Sequence, residues 1–206
     1  MSGPSLSDTL TQGLRALGED PAAHPCDAYL WFLGELAKWN KAYNLTAIRD
    51  PGQMLTHHLL DSLSILPYLQ GQRCLDVGTG AGLPGLILAL ARPDTHWTLL
   101  DSKSKKIRFL QHVLYELKPS NVELALSRVE DYRPAQSFST IVSRAFSSLS
   151  NFYQLTAHLK AEDGQLLAMK GAVPLQEIAE LPAMESTTVR LQVPGMDSER
   201  HLIIIK

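Results

Sequence analysis

Apolar residues in the first third of the chain recur at helical spacing. Leu30, Leu33, Leu36 and Ala37 mark one helix face, and Trp31, Phe32 and Trp39 add bulk to it. A second helical stretch, Met54 to Leu66, follows Pro51-Gly52, a natural stop and restart. After Gly71 the rhythm changes to short apolar runs. Strands are predicted at Arg73–Val77, His96–Leu100, Asn121–Leu126, Thr140–Ser143 and Gln165–Met169, with helices at Leu83–Ala91 and Ser104–Leu117. Strands that alternate with helices predict parallel crossovers and an α/β sheet. Thr187–Val193 and His201–Ile205 are joined by a link too short for a crossover, so they read as an antiparallel hairpin. The pattern predicts a helical N-terminal extension over residues 1–70 and an α/β domain over 71–206. Its sheet has seven strands and is mostly parallel, with an antiparallel C-terminal hairpin.

Composition changes this picture little. The 206 residues are 45% hydrophobic, enough for one substantial core. A net charge of −2 gives no global basic field, so any nucleic-acid binding must come from a local patch. Cys26 and Cys74 lack metal-type spacing and cannot form a disulfide framework. Asp8 and the lack of an apolar leader argue against a signal peptide, and Leu83–Ala91 is too short to span a bilayer. A cytoplasmic protein without membrane association is expected, with a monomer favoured.

The chemistry gathers at "LDVGTGAGLPG", Leu75 to Gly85, where four glycines follow the first strand. Such a turn aims backbone N–H groups and a helix N-terminus at a ligand; a turn serving packing alone would need fewer glycines. A phosphate-binding loop for a nucleoside triphosphate needs Lys followed by Ser or Thr, and nothing from Gly78 to Leu90 is basic. Gly80, Gly82 and Gly85 match the dinucleotide pattern formally. Counted from the strand end, however, Gly78 is the first glycine and Leu83 falls where the third should permit close packing. S-adenosylmethionine suits the loop better, because it has no pyrophosphate to cradle. Asp76 near the loop suits a cationic ligand group. Asp101, ending the second strand, can accept from both ribose hydroxyls or serve the start of the following helix. Val129-Glu130, after the third strand, lies where an adenine edge would fall.

Taken together, "NKAYNLTAIRDP" (40–51), "HHLLDSL" (57–63), "DVGTGAGLPG", "LLDS", "SRVED", "VSRAF" and "AMKG" resemble the bacterial glucose-inhibited division protein B family. The similarity runs in order from about Trp39 to the C-terminus; the first twenty or so residues add nothing usable. The resemblance implies a class I methyltransferase (Rossmann-like) domain at 71–206 and S-adenosylmethionine as methyl donor, with no metal. It implies as acceptor N7 of a guanine in the 530 loop of 16S rRNA (guanine 527 in the family), reached in naked rRNA or in the 30S subunit. The family's cofactor contacts fall on Gly78, Leu83, Val129, Glu130 and Arg144; the residue reading adds Gly80 and Asp101. Ala81 stands where relatives often carry proline, which alters loop stiffness more than ligand identity.

The residues agree with that acceptor on their own terms. Enzymes acting on exocyclic amines commonly close the fourth strand with Asn- or Asp-Pro-Pro-aromatic, and this chain has Ser143-Arg144-Ala145-Phe146. A cytosine C5 enzyme needs a cysteine nucleophile near the donor. Cys74 begins the first strand, far from the ligand end, and Cys26 lies in the extension. Guanine N7 carries no proton at neutral pH, so its attack needs only alignment.

RNA contact is expected at Lys105, Arg128 and Lys170, each near the crevice, although a solvated face or an ordinary strand-end lysine is the plainer meaning. Lys105, Arg108 and His112 share one helix face, opposite Ile107, Leu110, Leu114 and Leu117. His57, His58 and Asp61 lack a second cluster for a metal, and a His57–Asp61 pair one turn apart, or a helix packing on the sheet, is expected instead. Trp31 and Trp39 are expected in the core. Two rival functions remain: a non-catalytic S-adenosylmethionine-binding module and a nicotinamide-dependent oxidoreductase.

Overall fold

The extension is helical almost from its start in the computed structural model, which describes residues 4–144, 146, 148–181 and 185–206. Ser5 and Asp8 cap each other's backbone N–H reciprocally and open α1 (Leu6–Ala16). α2 (Cys26–Tyr43) stops where Asn44 takes a left-handed φ of 48°. Asp50 accepts from the Gln53 N–H and starts α3 (Pro51–Met54). The chain is then wound as a π-helix over Leu55–Leu60 before returning to α4 (Asp61–Leu63). That widened turn rotates Asp61 out of the simple one-turn relation to His57.

The strands are β1 (Arg73–Val77), β2 (His96–Asp101), β3 (Val122–Leu126), β4 (Phe138–Ser143), β5 (Lys160–Lys170), β6 (Ser186–Leu191) and β7 (Arg200–Ile205). They form one sheet in the order β3-β2-β1-β4-β5-β7-β6. The first five pair in parallel, and β7 runs antiparallel to both β5 and β6, as the sequence pattern predicts. β5 begins at Lys160, five residues before the apolar run, because the polar start of the strand is exposed or half-buried and leaves no hydrophobic signature.

Alternation along the strands sends side chains into two cores. Leu75, Ile141, Leu166 and Ile203 face one side, where α7 (Leu149–Thr156) packs through Leu149 and Phe152. Cys74, Val142, Leu167 and Leu202 face the other. There α5 (Gly85–Ala91) and α6 (Ser104–Leu117) share a continuous apolar cluster with Leu10, Leu14, Phe32 and Leu36 of the extension. The last helix, α8 (Leu175–Ala179), follows β5.

Two helix expectations are corrected. α5 starts at Gly85 rather than Leu83, because the Gly82 and Leu83 N–H groups both turn back to the Thr79 carbonyl and Pro84 has no N–H. His112 does not share a solvent face with Lys105 and Arg108. α2 covers it: its ring lies 6.0 Å from that of Trp31 and 5.2 Å from that of Trp39, and Nε2 meets Glu35 at 3.0 Å. Both tryptophans thus serve packing, as expected.

Candidate functional site

β1 lies between β2 and β4, so the crossovers leave it in opposite directions and open a crevice at the strand ends. Asp76 anchors the loop that enters this crevice. Its Oδ2 accepts from Thr79 Oγ1 (2.7 Å) and from the Gly85 N–H (2.8 Å), pinning the loop at both ends. Burial pushes its carboxyl up to about 6, and Oδ1 has no hydrogen-bond partner among the described residues. Asp76 therefore lies beneath the loop, which corrects the expectation that it meets a cationic ligand group.

The glycines divide the work. Gly78 and Gly80 take left-handed φ values of 71° and 59°. A Cβ at Gly80 would meet only the Gly78 carbonyl, 3.9 Å away, so the loop surface there is open to a ligand. Gly82 and Gly85 serve packing: a Cβ would come within 2.8 Å of Leu110 at the first and 2.5 Å of Leu99 at the second.

Asp101 holds both neighbours of the crevice. Its Oδ2 accepts from the Gly80 N–H (2.9 Å) and its Oδ1 from the Lys103 N–H (2.8 Å). The helix-start role and a ribose role are compatible, because each carboxylate oxygen has two acceptor sites. Asp101 also lines a cavity of about 250 Å³ with Gly78, Arg128, Val129, Glu130 and Phe146. Val129 and Glu130 open a short 3₁₀ turn (Val129–Asp131), whose first N–H groups have no intrahelical acceptor. Phe146, which sequence reasoning passed over, forms an apolar wall and stands 5.1 Å from the ring of Phe152. Ala145, beside it, lies outside the described residues.

Across Gly78 a second cavity of about 180 Å³ is lined by Leu45, Thr46, Gly80, Leu83 and Arg144. The extension thus walls one side of the site, and the only sequence signal for this was the position of Leu45-Thr46 within a family motif. Arg144 follows the end of β4. Its Nη1 donates to the His57 carbonyl (3.1 Å) and to Asp61 Oδ2 (3.3 Å), and burial lowers its pKa. Arg200 completes the group by donating Nε and Nη2 to the two Asp61 oxygens, 2.7 Å each. The expected His57–Asp61 pair is replaced by these two arginines.

The expected RNA contacts differ in freedom. Arg128 is exposed at the rim of the first cavity. Lys105 is exposed, with Nζ 3.1 Å from the Tyr43 carbonyl, and Lys106 beside it bonds the Leu45 carbonyl. Lys170 is half-buried against Glu177, at 2.8 Å. Among the described residues, no three His, Cys, Asp or Glu side chains come together as a metal site, and no helix is long and apolar enough to cross a membrane.

A glycine turn after β1, an acid ending β2 and a 3₁₀ turn after β3, under this strand order, define the class I methyltransferase architecture. Solved structures share the fold. The O-methyltransferase TomG from Streptomyces achromogenes, in complex with S-adenosylmethionine, superposes with a TM-score of 0.56 at 16% identity, covering 84% of this chain and 88% of its own. Precorrin-6y C5,15-methyltransferase from Geobacter metallireducens gives 0.53 at 12% identity, with 71% and 86% covered. The chain belongs to the rRNA small subunit methyltransferase G family, whose profile matches residues 26–203. Ribosomal RNA small subunit methyltransferase G of Escherichia coli is 47% identical over 203 residues, 98% of each chain. The Shigella boydii protein of the same name is 47% identical over 195 residues, 94% of each. The methyl donor is S-adenosylmethionine, and the open glycine loop, the Asp101 carboxylate and the paired cavities fit it.

Proposed function

We propose that this protein transfers a methyl group from S-adenosylmethionine to N7 of a guanine in the 530 loop of 16S rRNA. It works in the cytoplasm as a monomer, on the RNA or on the 30S subunit. One observation carries the reading: the divided crevice, in which Gly78 is common to a larger and a smaller cavity, and Arg144 walls the end of the smaller. The adenosine occupies the larger cavity, with Asp101 on the ribose hydroxyls and Val129 and Glu130 on the adenine edge. The amino-acid end lies across Gly78 and Gly80 toward Leu83, and Arg144 meets its carboxylate. When bound, the donor supplies a methyl activated by its sulfonium.

N7 has a free lone pair, so the chain has only to hold and orient the two partners. The groups near the site fit that role. Burial pushes His58 down to about 4, leaving its ring neutral at pH 7 between Thr46 Oγ1 (2.8 Å) and the His57 carbonyl (3.1 Å). Burial pushes the Cys74 thiol up to about 12, which removes it as a nucleophile. Arg128 and Lys105 meet RNA phosphates as exposed cations, and Lys170 joins them only by leaving Glu177.

The test is product mapping. Small subunits from a strain lacking this gene are incubated with the protein and radiolabelled donor, and the labelled base is located by borohydride–aniline cleavage, which cuts at N7-methylguanine. A single cut in the 530 loop is expected. Label on a ribose or an exocyclic amine would overturn the reading.

A further inference from the structure

Two helices meet at the mouth of the donor crevice. α2 ends at Tyr43, and α6 begins at Ser104, three residues after Asp101 ends β2. Lys105 of α6 donates Nζ to the Tyr43 carbonyl, and Lys106 bonds the Leu45 carbonyl. The link from this junction to the cavity is short and fixed. Asn44 turns the chain with its left-handed φ, and the buried Asn40 side chain holds the Thr46 N–H (2.9 Å) and the Ile48 carbonyl (3.2 Å). Leu45 and Thr46 are thereby set in the wall of the small cavity. Two residues span at most about 7 Å, so Tyr43 stands close to the mouth of that cavity.

Tyr43 also ends a row of aromatic rings. His112 stacks on Trp39 at 5.2 Å, and Trp39 stacks on Tyr43 at 5.2 Å with 30° between their planes. Trp39 meets the buried Phe109 edge-on, at 5.5 Å. The core thus backs the row at one end. At the other, Tyr43 is 36% exposed, and among the described residues no second ring or cation packs over it. The charge on the α6 side is positive throughout. Lys105 and Arg108, both exposed, share a face of α6 one turn apart. From Ser102 to Tyr115 the chain carries four Lys and Arg and no acid, so no carboxylate of this element repels a phosphate. Lys105 commits one of its three N–H donors to the Tyr43 carbonyl and keeps two.

An exposed aromatic face beside cations suits single-stranded RNA, with a base on the ring and phosphates on the charges. Resting on the proposed methylation of 16S rRNA, we infer that the end of the α2–α6 seam is an RNA platform: a base next to the acceptor guanine stacks on Tyr43, and its phosphates meet Lys105 and Arg108. The acceptor itself stays at the mouth between Leu45 and Gly78, on the donor's own side of Arg144. The platform orders the strand and takes no part in the transfer. Trp39 and the Asn40-held loop fix Tyr43 before RNA arrives, which lowers the ordering cost of binding.

The test pairs a change in the ring with a change in the base. Tyr43→Ala removes the platform, and Tyr43→Phe keeps the ring. Each is assayed under single turnover on 16S rRNA, free or reconstituted into 30S subunits, whichever wild type methylates. The RNA is intact or carries one abasic nucleotide on the 5′ or the 3′ side of the acceptor. Tyr43→Ala should lose about tenfold in kcat/KM on intact RNA, mostly through KM. That is about 1.4 kcal/mol, within the range for one base–aromatic stack. Tyr43→Phe should recover most of the loss, and donor affinity by calorimetry should stay at the wild-type value in both. On one of the two abasic RNAs wild type should itself fall about tenfold, and Tyr43→Ala should add little, because the partner base is gone. This comparison is independent of any loss of stability in the alanine variant, since the same protein meets each RNA. Tyr43→Ala at the wild-type rate overturns the inference. Equal losses from it on all three RNAs do so too, and point to packing or to a ribosomal-protein contact. Wild-type protein that leaves no N7-methylguanine in intact RNA of either form sinks the functional reading instead.

Discussion

Arg200 grips Asp61 with two parallel hydrogen bonds of 2.7 Å, joining the first residue of β7 to a helix 139 positions earlier. Asp61 is almost wholly buried and also receives Arg144. One carboxylate therefore fixes the extension to the sheet and sets the position of an arginine on the wall of the donor crevice. Asp61→Asn would keep the shape and leave two guanidiniums against a neutral amide. Losing one partner of a buried pair is costly, and unfolding free energy should fall by about 3 kcal/mol or more. Denaturant titration measures this, and donor affinity should fall with it as Arg144 loosens. A variant as stable as wild type would show that the pair is replaceable by water.

Asp101 makes a contrasting case, because it holds the loop and, in the proposed reading, the ligand as well. Asp101→Ala removes the acceptor of the Gly80 and Lys103 N–H groups, and with it the proposed ribose contact. Donor binding should weaken by about 1.5–3 kcal/mol, the range for hydrogen bonds to a charged group. Gly80→Asp should abolish binding, since its carboxylate would lie beside Asp101 on a backbone with φ of 59°. Calorimetry on folded protein, checked by circular dichroism, decides both. Unchanged affinity in Asp101→Ala would reduce that residue to a cap.

The crevice proposed for the donor was legible because it is local. A strand end, its glycine turn and the next two strand ends follow one another in sequence, and the parallel order brings them together. What escaped was whatever depends on distant partners. Nothing near Asp61 in sequence announces Arg200, and the π-turn over Leu55–Leu60 breaks the spacing that suggested His57. Lys170 reads as a free strand-end cation until the loop after β5 brings Glu177 to it. His112 belongs to an apolar face only because α2 lies over it.

The difference in freedom between Arg128 and Lys170 can be measured through salt dependence. Arg128 is exposed at the crevice rim, whereas Lys170 is paired with Glu177. Arg128→Ala should flatten the plot of log affinity for RNA against log salt by about 0.7, the counterion released per phosphate contact on a single strand. Lys170→Ala should leave the slope near its wild-type value while donor affinity stays unchanged in both. An equal flattening by Lys170→Ala would mean that its ammonium leaves Glu177 for RNA.

The last prediction concerns acid stability, where two buried groups oppose each other. His58 is held near 4, below its ordinary 6.5, chiefly by burial. As pH falls from 6.5 toward 4 the unfolded chain takes up a proton that the folded chain refuses, so this group costs stability. Asp76 is held near 6, above its ordinary 3.8, again chiefly by burial. Between 3.8 and 6 the folded chain holds a proton that the unfolded chain has released, so this group adds stability as pH falls. From about pH 4.5 to 6 the two slopes have opposite sign and each involves one proton. Wild-type unfolding free energy should therefore be nearly flat there with respect to this pair. His58→Gln should expose the Asp76 slope, with stability rising on acidification by about 1.4 kcal/mol per pH unit. Asp76→Asn should expose the reverse. Urea titrations at half-unit pH steps read both slopes, and variants that keep a flat profile would show that neither group titrates differently in the folded chain.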